Sequence, residues 1–235
     1  MKFIFHDEVY EIGVRGAYYR ITGMRNSPST HPEILEFVDT QLSAVSEDRE
    51  YLVALRGFTD LHAAVSRRPD RLVTAPASLL AFYQRQRDIP RINGIVDVYN
   101  AVSLRSGLAI GAHDLQHVAG NIELKLTTGN ENFWPIGASQ ASRVASGEYA
   151  YIDGSNDILC RLEVRQVEKT KITLESRDVF FIVQGHKHME TSDIQRSAVF
   201  LATSSVRLFG GHIKPLYGWP DGDRATSLTH QPDSP

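Results

Sequence analysis

Apolar and polar positions alternate through residues 1–23, interrupted by Gly13, Gly16 and Gly23, and this period of two predicts two or three short strands joined by turns. The period then lengthens. Over residues 32–45, Ile34, Leu35, Val38 and Leu42 fall at helical spacing, and Pro32, after Thr30 or His31, suits a first helical turn. A second helix is expected over 51–65 and a third is opened by Pro76, with Leu79, Leu80 and Tyr83 along one side. Residues 92–107 are the most patterned: Ile95, Val96, Tyr99, Val102 and Leu104 face a core, Asp97, Asn100 and Ser103 share a more polar side, and Gly107 ends the helix.

Beyond residue 121 the texture becomes strand-like. Residues 122–126, 149–152, 158–162 and 179–183 are apolar or alternating runs separated by Gly, Asn and Asp turns, which predicts a mostly antiparallel sheet system. Thr191 or Ser192 is the expected N-cap of a last helix carrying Ile194, Ala198, Val199 and Leu201 and stopped by Gly210 and Gly211. Residues 217–235, rich in Pro, Gly, Asp and Ser, are expected to fray. No repeat or composition break marks a linker, so the chain reads as a single α+β domain over 1–215 with a flexible tail over 216–235.

Composition narrows the function classes. No apolar run approaches the roughly 18 residues of a membrane span, and the start of the chain reads as a strand rather than a signal peptide. Cys160 is the single cysteine, so neither an internal disulfide nor a cysteine-based zinc site is open to the chain, and a reducing cytoplasm is expected. A net charge of -3 argues against a protein that coats DNA. Local cations allow two readings, a smaller nucleic-acid contact or ordinary solvated surface charge: Arg67, Arg68 and Arg71, then Arg85, Arg87 and Arg91, then Lys169 and Lys171.

The common hydrolase and nucleotide signatures are missing. Residues 137–141 lack the second glycine of a nucleophile elbow, there is no His-Glu-x-x-His helix, and no glycine pattern matches a dinucleotide or phosphate loop. No cofactor is signalled. His113 and His117, with His186 and His188, allow two readings, zinc ligation or loop histidines, and the second is preferred. His113 beside Asp114 suits an orienting His–Asp pair, whereas Asp114 equally suits the cap of a following short helix. In the run 160–171, a continued strand would put Arg161, Glu163 and Arg165 on one face and Cys160, Leu162 and Val164 on the other, either as a solvated surface or as the polar wall of a ligand site.

Residues 93–107 (Asn-Gly-Ile-Val-Asp-Val-Tyr-Asn-Ala-Val-Ser-Leu-Arg-Ser-Gly), followed by Ala112-His-Asp-Leu115 and Gly120-Asn-Ile122, resemble the core motif of the B3/4 domain, the editing module of the phenylalanyl-tRNA synthetase beta subunit. The similarity continues through Thr170-Lys-Ile-Thr173 and spans about 71–210, and the flanking sequence resembles the shorter standalone relatives. The resemblance implies a single B3/4-like α+β domain that hydrolyses the ester between a wrong amino acid and its tRNA, with no membrane or DNA as partner. That ester is already activated and the adjacent ribose hydroxyl assists, so positioning a water and stabilising an oxyanion can suffice. The synthetase form has a histidine where Gly111 stands and a carboxylate where Ile182 stands, so those roles do not carry over. Expectation therefore moves to His113, Asp114 and Asn100 for catalysis, to Asp97, Tyr99, Glu163, Arg165, Gln166 and Glu168 for the substrate, and to Arg87, Arg91, Lys169 and Lys171 for tRNA.

Among family substrates, canavanyl-tRNA(Arg) is expected ahead of tyrosyl-tRNA(Phe). Canavanine replaces one arginine methylene by oxygen, a change worth too little for one synthetase pocket to reject, and the oxygen lowers the guanidine pKa. An acceptor at Glu163 or Glu168 beside a cation at Arg165 would penalise permanently charged arginine. A noncatalytic module that binds tRNA or an amino acid is the alternative, favoured by the two missing family groups; action on a free small molecule is a third.

Overall fold

The computed structural model describes residues 1–66 and 68–220. Among them are six α-helices and two sheets. The first sheet has the order β3-β8-β2-β9, built from β2 (Val14–Thr22), β3 (Ala109–Asp114), β8 (Asp178–His186) and β9 (His212–Pro215), and every pairing is antiparallel. The second has the order β1-β4-β5-β6-β7, from β1 (Phe3–Phe5), β4 (Ile122–Leu126), β5 (Tyr149–Asp153), β6 (Ile158–Arg161) and β7 (Arg165–Gln166), antiparallel except for the parallel β1–β4 pair.

The layers follow from alternation. On the first sheet Tyr19, Ile21, Ile110, Ala112, Phe181 and Val183 face a helical layer of α2 (Pro32–Ser43), α4 (Ala75–Gln86), α5 (Gly94–Ser106) and α6 (Thr191–Phe209). The opposite face, with Val14, Tyr18, Ala109, Phe180 and Ile182, packs on Phe3, Ile122, Tyr149 and Tyr151 of the second sheet and on Phe58 and Leu61 of α3 (Arg49–Val65). β8 is thus covered on both sides, which explains its unbroken apolar run. The outer face of the second sheet, through Ala150, Ile152 and Ile158, is closed by Phe133 and Val144 from the loop between β4 and β5. No helix among the described residues is long and apolar enough to cross a membrane.

Several sequence expectations change. Within residues 1–23 a short helix, α1 (Asp7–Ile12), separates two strands; one and a half turns with a single buried residue, Val9, leave no helical period to detect. α6 begins after Glu190, whose side chain makes no cap bond, rather than after Thr191 or Ser192. Residues 216–220 are not frayed: the Tyr217 carbonyl accepts from Tyr18 N at 2.8 Å, the Tyr217 ring stacks on Phe5 at 4.9 Å, and Trp219 meets Tyr19 edge-on at 5.5 Å. The remainder of the expected tail, 221–235, lies outside the described residues, as does Arg67.

Candidate functional site

A cavity of about 140 Å³ opens between the two sheets. Its walls come from β3 (Ala109, Ile110, Gly111) and β8 (Ile182, Gln184), from α5 (Tyr99, Asn100), and from the β6–β7 hairpin with Cys160, Glu163, Val164, Arg165 and Gln166. Gly111 and Ile182 are paired residues on adjacent strands and stand side by side on one wall. The space over Gly111 is not empty. A Cβ there would lie 2.6 Å from Nε2 of Gln166, so the Gln166 amide covers the glycine from the opposite sheet.

The hairpin departs from the expected alternation. Leu162 and Glu163 have φ of 50° and 48°, two consecutive left-handed non-glycine residues, each costing on the order of 1–2 kcal/mol. This turn ends β6 and leaves Glu163 buried, instead of on a face shared with Arg161 and Arg165. Its carboxylate is the endpoint of a buried donor chain. Tyr18 OH donates to Tyr151 OH at 3.2 Å, Tyr151 donates to Oε1 of Gln184 at 2.5 Å, and Gln184 Nε2 donates to Oε1 of Glu163. Tyr149 OH donates to Oε2 at 2.8 Å, and His62 Nε2 lies 3.1 Å from the same oxygen. A carboxylate offers about four acceptor positions. Among the described residues three are occupied, and Glu163 still lines the cavity.

The neighbouring groups are poor nucleophiles. Burial, then the Glu163 charge, pushes the Cys160 thiol up to about 12, and burial likewise raises the Tyr99 phenol. Arg165 is exposed at the cavity wall, and no ion pair engages it among the described residues.

The other expected site residues go elsewhere. His113 is fully buried, with Nδ1 at 2.8 Å from Thr170 Oγ1 and Nε2 without a partner among the described residues, and it does not line the cavity. Burial drops its pKa to about 3, so it is neutral and a feeble base at neutral pH. Asp114 accepts from Gln116 N at 2.9 Å and from Ser176 Oγ at 2.6 Å, which makes it the cap of the short turn Leu115–His117. Asp97 accepts from Ile92 N at 2.8 Å at the start of α5, away from the cavity, and burial raises its pKa. Glu168 pairs with Lys171, while Lys169 bridges Asp153 at 3.2 Å and Asp157 at 2.6 Å, and none of the three lines the cavity. Arg91 pairs with Asp88 at 2.7 Å; Arg87 is exposed, ending α4 in a left-handed conformation over the Tyr83 ring. His186 is bound at 2.6 Å to the Ala54 carbonyl, and no metal-holding group of three or more His, Cys, Asp or Glu occurs among the described residues.

The model of the B3/4 domain matches residues 59–225, well over half of the sequence. The chain belongs to the B3/4 domain family. Among solved structures, an N-terminal fragment of the phenylalanyl-tRNA synthetase beta subunit from Pyrococcus horikoshii aligns at 16% identity with a TM-score of 0.49, covering 90% of this chain. This B3/4 chain spans about half the length of that fragment, with 50% of it covered. No match was found among curated proteins.

Sequence reasoning missed His62, Tyr149, Tyr151 and Gln184. One signal existed: Gln184 and His186 directly extend an apolar run, and polar residues continuing a doubly covered strand need buried partners. His62 sat among Leu61, Ala63 and Ala64 on an amphipathic helix, with nothing local to distinguish it.

Proposed function

We propose that this B3/4 protein is a trans-editing deacylase that hydrolyses a mischarged aminoacyl-tRNA, with canavanyl-tRNA(Arg) as the leading substrate and tyrosyl-tRNA(Phe) next. The observation that carries this reading is the Gly111–Ile182 wall facing Glu163 and Gln166 across the cavity. The two groups absent from the first sheet are answered by an amide and a carboxylate from the hairpin of the second.

At about 140 Å³ the cavity falls below the roughly 300–1,000 Å³ that encloses a drug-sized ligand, so it suits an amino-acid side chain while the tRNA stays outside. Glu163 offers its remaining acceptor position to a donor on that side chain. Arg165 adds positive charge at the wall, which disfavours permanently cationic arginine relative to the less basic canavanine. The same cavity has apolar walls at Ile110, Val164 and Ile182, which keep tyrosyl-tRNA(Phe) as the second candidate. Gln166 and Asn100 supply amides to orient a water or hold the developing oxyanion, and the neighbouring ribose hydroxyl assists attack. A protonated Cys160 does not act as nucleophile in this scheme. Arg165 and Arg87 are the exposed cations for tRNA phosphate.

The test is release of labelled amino acid from a panel of charged tRNAs containing canavanyl-tRNA(Arg), tyrosyl-tRNA(Phe) and correctly charged arginyl-tRNA(Arg). Rapid release from canavanyl-tRNA(Arg) with arginyl-tRNA(Arg) spared is the expected outcome. Binding without release from any species would replace the enzyme with a noncatalytic binding module, the reading that the missing groups at Gly111 and Ile182 favour.

A further inference from the structure

We propose that His62, on α3 and 101 residues before Glu163 in sequence, is the positioning residue that clamps the strained hairpin turn and thereby holds Glu163 in the cavity for ligand recognition. Its role in recognition rests on the function proposed above; the clamp itself does not. The ring is 1% exposed. Nε2 lies 2.7 Å from the Leu162 carbonyl oxygen and 3.1 Å from Oε2 of Glu163. Both neighbours are acceptors, so the Nε2 tautomer carries the proton and shares it between the backbone of one left-handed residue and the side chain of the next.

Two successive left-handed non-glycine residues persist only where surrounding contacts over-determine them. Three tethers act on this turn from outside its sheet, and one of them, Gln184 Nε2 on β8, reaches only the Glu163 side chain. Ala75 N, at the start of α4, donates to the Glu163 carbonyl at 2.7 Å, and His62 holds the Leu162 carbonyl and the Glu163 carboxylate together. Ala75 touches only the backbone. His62 therefore couples the turn to the carboxylate's direction: without its proton the turn can relax toward extended strand geometry, which would swing Glu163 toward the Arg161 and Arg165 side of the hairpin. Tyr149 and Gln184 would then lose their acceptor.

Cys160 makes the clamp measurable without any substrate. It is the chain's single cysteine, it lines the cavity, and the Glu163 charge contributes to holding its thiol protonated. Alkylation of native protein by iodoacetamide is compared in wild type, His62→Leu, His62→Gln and Glu163→Ala, with folding checked by circular dichroism and urea midpoint. The leucine removes the donor while filling space; the glutamine keeps an N–H within reach. About a tenfold faster alkylation in His62→Leu and Glu163→Ala, with His62→Gln near wild type, is expected. Wild-type alkylation in a folded His62→Leu protein overturns the clamp. If His62→Leu does not fold, His62→Phe, which also lacks a donor, takes its place with the same expected rates.

Kinetics on the substrate identified by the release panel then test recognition. His62→Leu should raise KM about tenfold with little change in kcat, and the His62→Leu/Glu163→Ala double variant should match Glu163→Ala alone. Multiplying defects in the double variant would reject action through Glu163. A wild type that releases nothing from any tRNA refutes the deacylase reading while leaving the alkylation result to decide the clamp.

Discussion

At Gly111 an added methyl would meet the Gln166 amide at 2.6 Å, the far end of a flexible side chain that can yield. Gly111→Ala is therefore expected to fold but to displace Gln166, lowering kcat/KM for the proposed deacylation at least tenfold. Gln166→Ala should match it, and the pair combined should be no worse than either alone, as steady-state kinetics will read. His113 has a different consequence. Burial holds its imidazole at about 3 in the folded protein, against an ordinary value of 6.5. The unfolded chain takes up a proton as pH falls through 6.5 and the folded chain does not until about pH 3. The stability present above pH 6.5 is thus lost progressively as pH falls toward 3, with about 2 kcal/mol gone by pH 5. Urea midpoints of wild type should drop between pH 7 and pH 5, and those of His113→Phe should drop less. His186, whose pKa burial also lowers, sustains a residual slope in the same direction.

At the scale of elements, α3 crosses β8 where Gly57 admits the His186 ring: a Cβ at Gly57 would lie 2.1 Å from Cε1 of that imidazole. The ring has little room to retreat, because it is bonded to the Ala54 carbonyl and packs edge-on against Phe58 at 5.0 Å. Gly57→Ala is expected to cost about 1–3 kcal/mol, seen as a lower urea midpoint with an unchanged slope. Because α3 also carries His62, the same substitution should speed Cys160 alkylation. The helices of residues 32–106 were legible because their apolar stripes repeat over several turns, as Ile34, Val38 and Leu42 illustrate. β3 was not, since Ala109–Asp114 is short, carries Gly111, and is buried throughout, so it shows no alternation. The hairpin was misread for a related reason: a period of two predicts Glu163 beside Arg165, and no local residue announces two left-handed positions where neither is glycine.

Across the whole molecule, charge pairing limits how the tRNA of the proposed reaction would be held. Arg91, Lys169 and Lys171 are already engaged with carboxylates, and Arg165 and Arg87 are exposed. Two or three phosphate contacts on a single-stranded end give a slope of log affinity against log salt of about -2 or shallower; titrating tRNA binding between low and moderate salt checks this, and a much steeper slope would demand a larger basic footprint. Residues beyond β9 contribute to the fold: replacing Tyr217 and Trp219 by alanine removes their ring contacts and should lower the urea midpoint. The α+β class, the helical first half, the strand-rich second half and the family are written in the sequence, because periodicity and an ordered motif are properties of neighbours along the chain. Glu163, Arg165, Gln166, Tyr99 and Asn100 were also legible as candidates, from residue type and resemblance. Tertiary structure alone decided that these five share a cavity while His113, Asp114, Asp97 and Glu168 do not, and that His62, Tyr149 and Gln184 converge on Glu163. The reason is physical: burial, partner and hydrogen-bond direction are set by segments as far apart as α3 and the β6–β7 hairpin, and no local pattern records which of them will meet.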